Sequence, residues 1–547
     1  MHRILLLVGG AALVAASTSC AASLPIVDLG TSLTQAILNT SNGGTYSFKD
    51  IPYAEAPVGS LRFQAPQLLT TRNRTVNTGN NPRVCPQAQS PWFAESIPLV
   101  IQAIAAAGIT GSPVISATPT DQSEDCLLLD VVVPKSIFDA RETKLTPVLL
   151  WIHGGGYIQG SKDEENPATL ITQSLEGGRE GIVYVAINYR LGLFGFPPRP
   201  NGDNNSISPN AGLLDQRMAI DWVVENIHQF GGDPNAITVI GESAGAGSIV
   251  SHLTSNGGLT GSLPFKRAII QSPAIKPGQG ATVNAQNLAN LLATANATSI
   301  DTVLQLSTDQ LQNINLAMVA AGPFASTVFG PSVDGTYITN YPGNLLTQGK
   351  VDHVIQVIVA HNLDEGLLFT DPGVTNDTSF EAFLSGFMPS IPTSKITQLA
   401  TEIYPADFSG NVLPYTTQTE RVTLAIGEGL VTCFALGTGI AYGNTTHDYQ
   451  FSLFPGIHAQ DTAYTFWNGE TTDTLGIPLE VLVAQTMQTW FTDFAAGTLF
   501  SSASSSPLPA LYGSGASTTN ITSGGLTAVH DPAANSRCQF WLTGLTE

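Results

Sequence analysis

Charge is scarce in this chain. Only 12% of its 547 residues are Asp, Glu, Lys or Arg, and 42 acidic residues outnumber 21 Lys and Arg, for a formal net charge of -21. So acidic a chain repels phosphate, which argues against nucleic acid and anionic membranes as partners. Long apolar runs are missing beyond the N-terminus, and Ile4–Ala16 is too short to span a bilayer. Cysteine is rare, with five residues and no metal-ligand spacing, so neither a metal nor an organic cofactor is expected.

What is present begins at the N-terminus. His2 and Arg3 precede the apolar run, and the small residues Cys20-Ala21-Ala22 follow it. This is the layout of a secretory signal peptide over residues 1–22, leaving 23–547 as one large domain. Ser-Thr-Ser before Cys20 argues against a lipid anchor there. Cys85, Cys126, Cys433 and Cys538 remain; in a secreted, extracellular protein they suggest two disulfides, with three connectivities open. Acceptor sequons at Asn39, Asn73, Asn204, Asn296, Asn376, Asn444 and Asn520 fit a glycoprotein.

The chain is organised around Gly241-Glu242-Ser243-Ala244-Gly245. The apolar run Ile237–Ile240 precedes it and a helix-compatible stretch, Ala246–Leu253, follows. Strand, sharp turn and helix are the context of a nucleophile elbow, with Ser243 at its tip. Upstream, the buried-strand pattern Pro147–Ile152 runs into His153-Gly154-Gly155-Gly156-Tyr157. Three consecutive glycines at a strand end suit backbone N–H groups aimed at a developing negative charge. Further strands are expected at 181–190, 267–272, 354–360 and 449–454, and a helix with apolar periodicity at Met218, Ala219, Trp222, Val223 and Ile227. Residues 284–350 read as helical excursions that wall a pocket. The Ser/Gly-rich segment 501–525 reads as a loop or loosely packed tail.

Several motifs carry a family resemblance. They are Phe48–Ala54 (F-x-x-I-P-Y-A), Pro57–Phe63 (P-x-G-x-x-R-F), Glu124–Val131, Asn188–Phe196, the dense run Gly212–Pro234, and Trp490–Gly497. Together they resemble the type-B carboxylesterases, a family of α/β-hydrolases that includes cholinesterases and secreted fungal and yeast lipases. The resemblance covers nearly all of the mature chain. Two positions depart from it: Asp130 stands where the family has Asn, and Pro273 follows Gln271-Ser272 where it has Gly.

The resemblance implies an α/β-hydrolase fold, with a large, mostly parallel sheet and helices on both faces. It implies a Cys85–Cys126 disulfide and leaves Cys433 and Cys538 as the second pair. It makes Gly155, Gly156 and Ala244 the oxyanion donors. Glu365, in Asn362-Leu363-Asp364-Glu365-Gly366, becomes the triad acid, with Asp364 its rival. His458, in a loop after the Tyr449–Phe454 strand, becomes the base; His447 precedes that strand, at the wrong end of the sheet. Ser272 and Asp461 are expected to support acid and base. The order Ser243, Glu365, His458 is the α/β-hydrolase order.

The expected activity is hydrolysis of carboxylic esters through an acyl-enzyme. The apolar segment Ile97–Ala107 resembles in position the lid of the family's lipases, so acyl glycerols and a transient lipid interface are expected. The alternative is an esterase for small or secondary-metabolite esters. A choline substrate is disfavoured, because Trp92 lies far from Cys126. A non-catalytic binding protein on this fold is disfavoured by the presence of all three triad residues.

Overall fold

A computed structural model describes residues 23–41, 44–109, 119–200, 202, 207–259, 261, 263–498 and 509–545. The expected signal peptide, Cys20 and the sequon at Asn204 lie outside the described residues. Among the described residues, a twelve-stranded sheet forms the centre of the chain. Its strands are β1 (Ile37–Asn39), β2 (Thr45–Pro52), β3 (Leu128–Pro134), β4 (Thr146–Ile152), β5 (Val183–Ile187), β6 (Gly232–Glu242), β7 (Arg267–Gln271), β8 (Gln356–Asn362), β9 (His447–Phe451), β10 (Ala510–Leu511), β11 (Ser517–Thr522) and β12 (Gly525–His530). The order is β12-β11-β9-β8-β7-β6-β4-β5-β3-β2-β1, with β10 beside β9.

The pairs from β5 through β4, β6, β7, β8 and β9 to β11 are all parallel, and antiparallel strands close both edges. Every residue of β4 and β5 is buried. This explains why their sequences are almost wholly apolar: helices cover both faces. The helices α1 (Pro91–Ala106), α2 (Ala211–Asn226), α3 (Ala244–Leu253), α4 (Gln418–Ala441), α5 (Val481–Ala495) and α6 (Ser536–Thr543) matter most below. Helix α4 has 24 residues and is apolar enough to cross a membrane, yet it is mostly buried inside the protein and includes Arg421 and Glu428.

Two sequence expectations change. Segment 501–525 is not all loop. Residues 501–508 lie outside the described residues, but β10 and β11 lie within the segment, and β12 begins at its end. Thr518, Thr519, Ile521 and Thr522 supply β-branched residues, and Ser523-Gly524 closes the hairpin between Thr522 and Gly525. The helix expected at 97–107 is Pro91–Ala106, with Pro91 in its first turn and Pro98 inside it. Proline suits the first turn, where its missing N–H would have no partner.

Both disulfides are present, Cys85–Cys126 and Cys433–Cys538. The second joins α4 to α6 across 105 residues. Closing so long a loop contributes about 4–5 kcal/mol in the chain-entropy model. Replacing Cys538 by Ser is therefore expected to lower stability by roughly 2–5 kcal/mol. A calorimetric melt of the variant that overlays the wild type would contradict this.

Candidate active site

The site is built by five loops, each following a parallel strand at its carboxyl end: β4, β6, β7, β8 and β9. Open parallel sheets bind ligands at that edge. Ser243 follows β6 and opens α3, with φ 55° and ψ -120°. A non-glycine residue with positive φ is strained, and such strain clusters at functional sites. The motif's glycines make the turn possible. A Cβ on Gly245 would lie 2.0 Å from the Ile152 carbonyl oxygen, and one on Gly241 would lie 2.7 Å from the Gly245 backbone. Helix α3 therefore packs backbone against backbone on the end of β4.

The structure brings Ser243, His458 and Glu365 into one hydrogen-bonded line. His458 Nε2 lies 2.7 Å from Ser243 Oγ, and His458 Nδ1 lies 2.6 Å from Glu365 Oε2. All three are buried, with Ser243 8% exposed and Glu365 2%. Ser272 Oγ donates to Glu365 Oε1 at 2.6 Å, and the Asn362 N–H donates to the same oxygen at 2.5 Å. Gly366 seats the acid loop on α4, because a Cβ there would lie 1.8 Å from the Thr423 carbonyl oxygen. Asp364 belongs to the same loop, but it makes no contact with the imidazole. His447 bonds the Pro509 carbonyl at the opposite end of β9.

Asp461 does not reach the imidazole either. It accepts from Tyr449 Oη at 2.8 Å, Gln271 Nε2 at 2.9 Å and Asn362 Nδ2 at 3.3 Å. It thus supports the acid's loop through Asn362 and ties β7 to β9, instead of orienting His458 directly. Sequence reasoning gave no role to Glu242, although it sits beside Ser243 in the elbow motif. Its Oε1 is 3.3 Å from His458 Nε2. Phe369 was also missed; its ring packs edge-on against His458 at 5.0 Å, and Trp92 of α1 packs on Phe369 in turn.

Electrostatics follow from this crowding of carboxylates around one ring. Burial disfavours the charged form of His458, but Glu242 and Glu365 outweigh it and raise its pKa to about 9. Burial pushes Glu242 up to about 8. Burial also opposes ionisation of Glu365, yet His458, Ser272 and the Asn362 N–H hold it below the usual carboxylate range. His153 takes no part. It stacks on Tyr189 at 4.4 Å, and burial lowers it to about 4.

Gly155 and Gly156 have φ of 95° and 62° and lie in the loop after β4. Their N–H groups and that of Ala244, the first residue of α3, donate to no acceptor among the described residues. These glycines, Ser243 and His458 line a cavity of about 690 Å³. Trp92, Phe93 and Ile97 of α1 also line it. Further along α1, Val100 and Ile104 join Leu367, Ile457 and Ile477 in a small apolar cluster beside the site. Among the described residues there is no cluster of His, Cys, Asp or Glu that could hold a metal ion.

The sheet, the crossing helices and the elbow at the edge of β6 define an α/β-hydrolase. The chain belongs to the carboxylesterase family, whose sequence profile ("Carboxylesterase family") matches residues 32–434. It is an ester hydrolase of that family. It is 35% identical to "Carboxylesterase patB" of Aspergillus clavatus, over 96% of this chain and 97% of that protein. It is 33% identical to "Lipase 5" of Diutina rugosa, over 70% of this chain and 71% of that protein. In fold it is similar to Aspergillus niger EstA, with a TM-score of 0.77 at 23% identity, covering 95% of this chain and 98% of EstA.

Proposed function

We propose that this protein is a secreted serine carboxylesterase that works through an acyl-enzyme on Ser243. The line Ser243 Oγ–His458–Glu365, at 2.7 and 2.6 Å, carries the reading. Neutral His458 takes the Ser243 proton as Oγ attacks the ester carbonyl carbon. Glu365 fixes the ring and stabilises the imidazolium. The N–H groups of Gly155, Gly156 and Ala244 receive the tetrahedral oxyanion, which a relay without such donors would leave uncompensated. His458 then protonates the leaving alcohol, and water repeats the sequence on the acyl-enzyme.

A cavity of about 690 Å³ suits an ester of moderate size. The near full-length similarity to a protein named as a carboxylesterase supports the same reading. A second reading, a lipase, is favoured by one observation: the apolar helix α1 lines the cavity with Trp92, Phe93 and Ile97, beside Phe369. Residues 110–118, which follow it, are outside the described residues. Ser243→Ala is expected to lower hydrolysis of p-nitrophenyl esters at least about 10⁴-fold. Retained turnover in that variant would remove Ser243 from the chemistry. An acyl-length series assayed with and without an oil interface separates the two readings: a rise in rate only at the interface supports the lipase.

The pH dependence has a definite sign. His458 must be neutral to accept a proton, and its pKa is raised to about 9. With a neutral ester, kcat/KM is therefore expected to rise with pH through the alkaline range. Glu242 is the leading group that favours the charged ring, so Glu242→Gln should move the inflection to lower pH. An inflection left in place by this substitution would contradict the electrostatic reading.

The signal-peptide pattern, the two disulfides and the exposed sequons at Asn39, Asn73, Asn296 and Asn376 support secretion. Asn444 and Asn520 are half-buried and less open to a glycan. Sequencing the N-terminus of protein recovered from culture medium is expected to begin near Ser23. Protein found only inside cells, with residues 1–22 intact, would count against it.

A further inference from the structure

We propose that Lys276, held by Ser326, is a subsite for a free carboxylate carried by the ester substrate. The inference rests on the reading of the cavity as the ester site. Lys276 is the one Lys or Arg among the described residues that line it. In a chain with a formal charge of -21, a lone Lys in the wall of this cavity is conspicuous. Its Nζ donates to Ser326 Oγ at 2.6 Å and lies 5.9 Å from the Phe387 ring centroid. It has no ion-pair partner among the described residues. An ammonium has three donors, so two remain unclaimed there. Burial alone depresses its pKa to about 8, with no carboxylate opposing it. Part-buried and without an ion pair among the described residues, this ammonium has donors to spare, and a ligand carboxylate would complete it.

Ser326 holds this side chain, and a backbone bond fixes the segment that carries it. Ser326 lies between Ala325 and Val328, whose φ values are 59° and 62°. A β-branched residue in that region is a clear outlier, of the kind found at ligand clamps. The Ser326 carbonyl accepts from Trp92 Nε1 at 2.9 Å, and its hydroxyl also accepts the Val328 N–H at 3.3 Å. In the segment itself, the Ile275 N–H donates to the Leu430 carbonyl at 2.9 Å. Leu430 lies in a π-turn of α4, Glu428–Thr432. Single π-turns inside α-helices often occur at functional sites.

Reach and charge both fit one small molecule. The Ala274 N–H donates to the Ser243 carbonyl at 3.1 Å. Lys276 is two residues further on, which adds at most about 7 Å of backbone. Other carboxyls line the cavity, but few compete for the cation. Asp163 is paired with Lys49 and Lys162. Asp473 accepts from Gln460 and the backbone of Leu475 and Ile477. Burial raises Glu165 and Glu242 to about 8, so neutral pH leaves them mostly uncharged, and Glu164 is exposed to solvent. The substrate class is an ester with a second, unreacted carboxylate, such as a monoester of a dicarboxylic acid.

The test uses the purified full chain and monoalkyl esters of dicarboxylic acids of graded length. Each is compared with its half-amide, in which a neutral carboxamide replaces the free carboxylate. At a matching length, kcat/KM is expected to favour the carboxylate by roughly 10- to 100-fold, mostly through KM. Lys276→Gln keeps a donor to Ser326 and removes the charge, and it should collapse that ratio. A second measurement needs no variant: free dicarboxylates should inhibit p-nitrophenyl acetate hydrolysis competitively, and the matching diamides should not. A ratio near one at every length, a ratio unchanged in Lys276→Gln, or equal inhibition by acids and diamides would each overturn the subsite. If the wild type hydrolyses no ester at all, the esterase reading falls and takes the subsite with it. Turnover of neutral esters without the carboxylate preference sinks the subsite alone.

Discussion

Everything at this site depends on one close approach, that of Gly245 to the Ile152 carbonyl. A Cβ at position 245 would sit 2.0 Å from that oxygen. Because there is none, α3 can start directly against the end of β4, and Ser243 is forced into its left-handed turn. That turn lifts the hydroxyl toward His458 and leaves the Ala244 N–H beside the glycine loop. The strain is local, and the buried parallel strands on both sides sustain it.

The second constraint is electrostatic. One imidazole is surrounded by Glu365 at Nδ1 and Glu242 near Nε2, with Asp461 behind Asn362. Three carboxyls so close cannot all ionise without mutual cost. The structure sets Glu365 apart from the other two by its bond to His458 Nδ1. Glu365 receives Ser272, Asn362 and His458, whereas Glu242 Oε1 has no hydrogen-bond partner among the described residues. Glu365, paired with His458, keeps its charge, whereas burial pushes Glu242 and Asp461 toward the neutral form.

Much of this was legible in the chain. Glycines required by close packing leave contiguous signatures, so the elbow and the Gly154–Gly156 loop could be read directly, whereas the acid Glu365 was reached through the family resemblance. The paired cysteines became readable only through family resemblance. Other features were hidden because remote partners decide them. The Ser/Gly-rich C-terminal segment becomes strands because β9 and a hairpin partner offer a ladder. The resemblance made Asp461 a support for His458, but the turn between them aims Asp461 at Tyr449 and Gln271 instead. Pocket walls such as Ser326 and Lys276 come from segments with no periodicity of their own.

The π-turn in α4 has a further consequence, which concerns helical phase. An ordinary α-helix advances about 100° per residue. The wider turn at Glu428–Thr432 inserts one such step between the two halves of the helix. The half before it carries Thr423 and Gly427 against the acid's loop, and the half after it begins with Cys433, bonded to α6. Gly429, inside the turn, receives the ring of Trp541 from α6. Deleting a single residue there would rotate Leu430 out of the cavity wall and swing Cys433 away from Cys538 together. Pocket shape and the second crosslink are thus set by the same rotational offset, and neither could drift without the other.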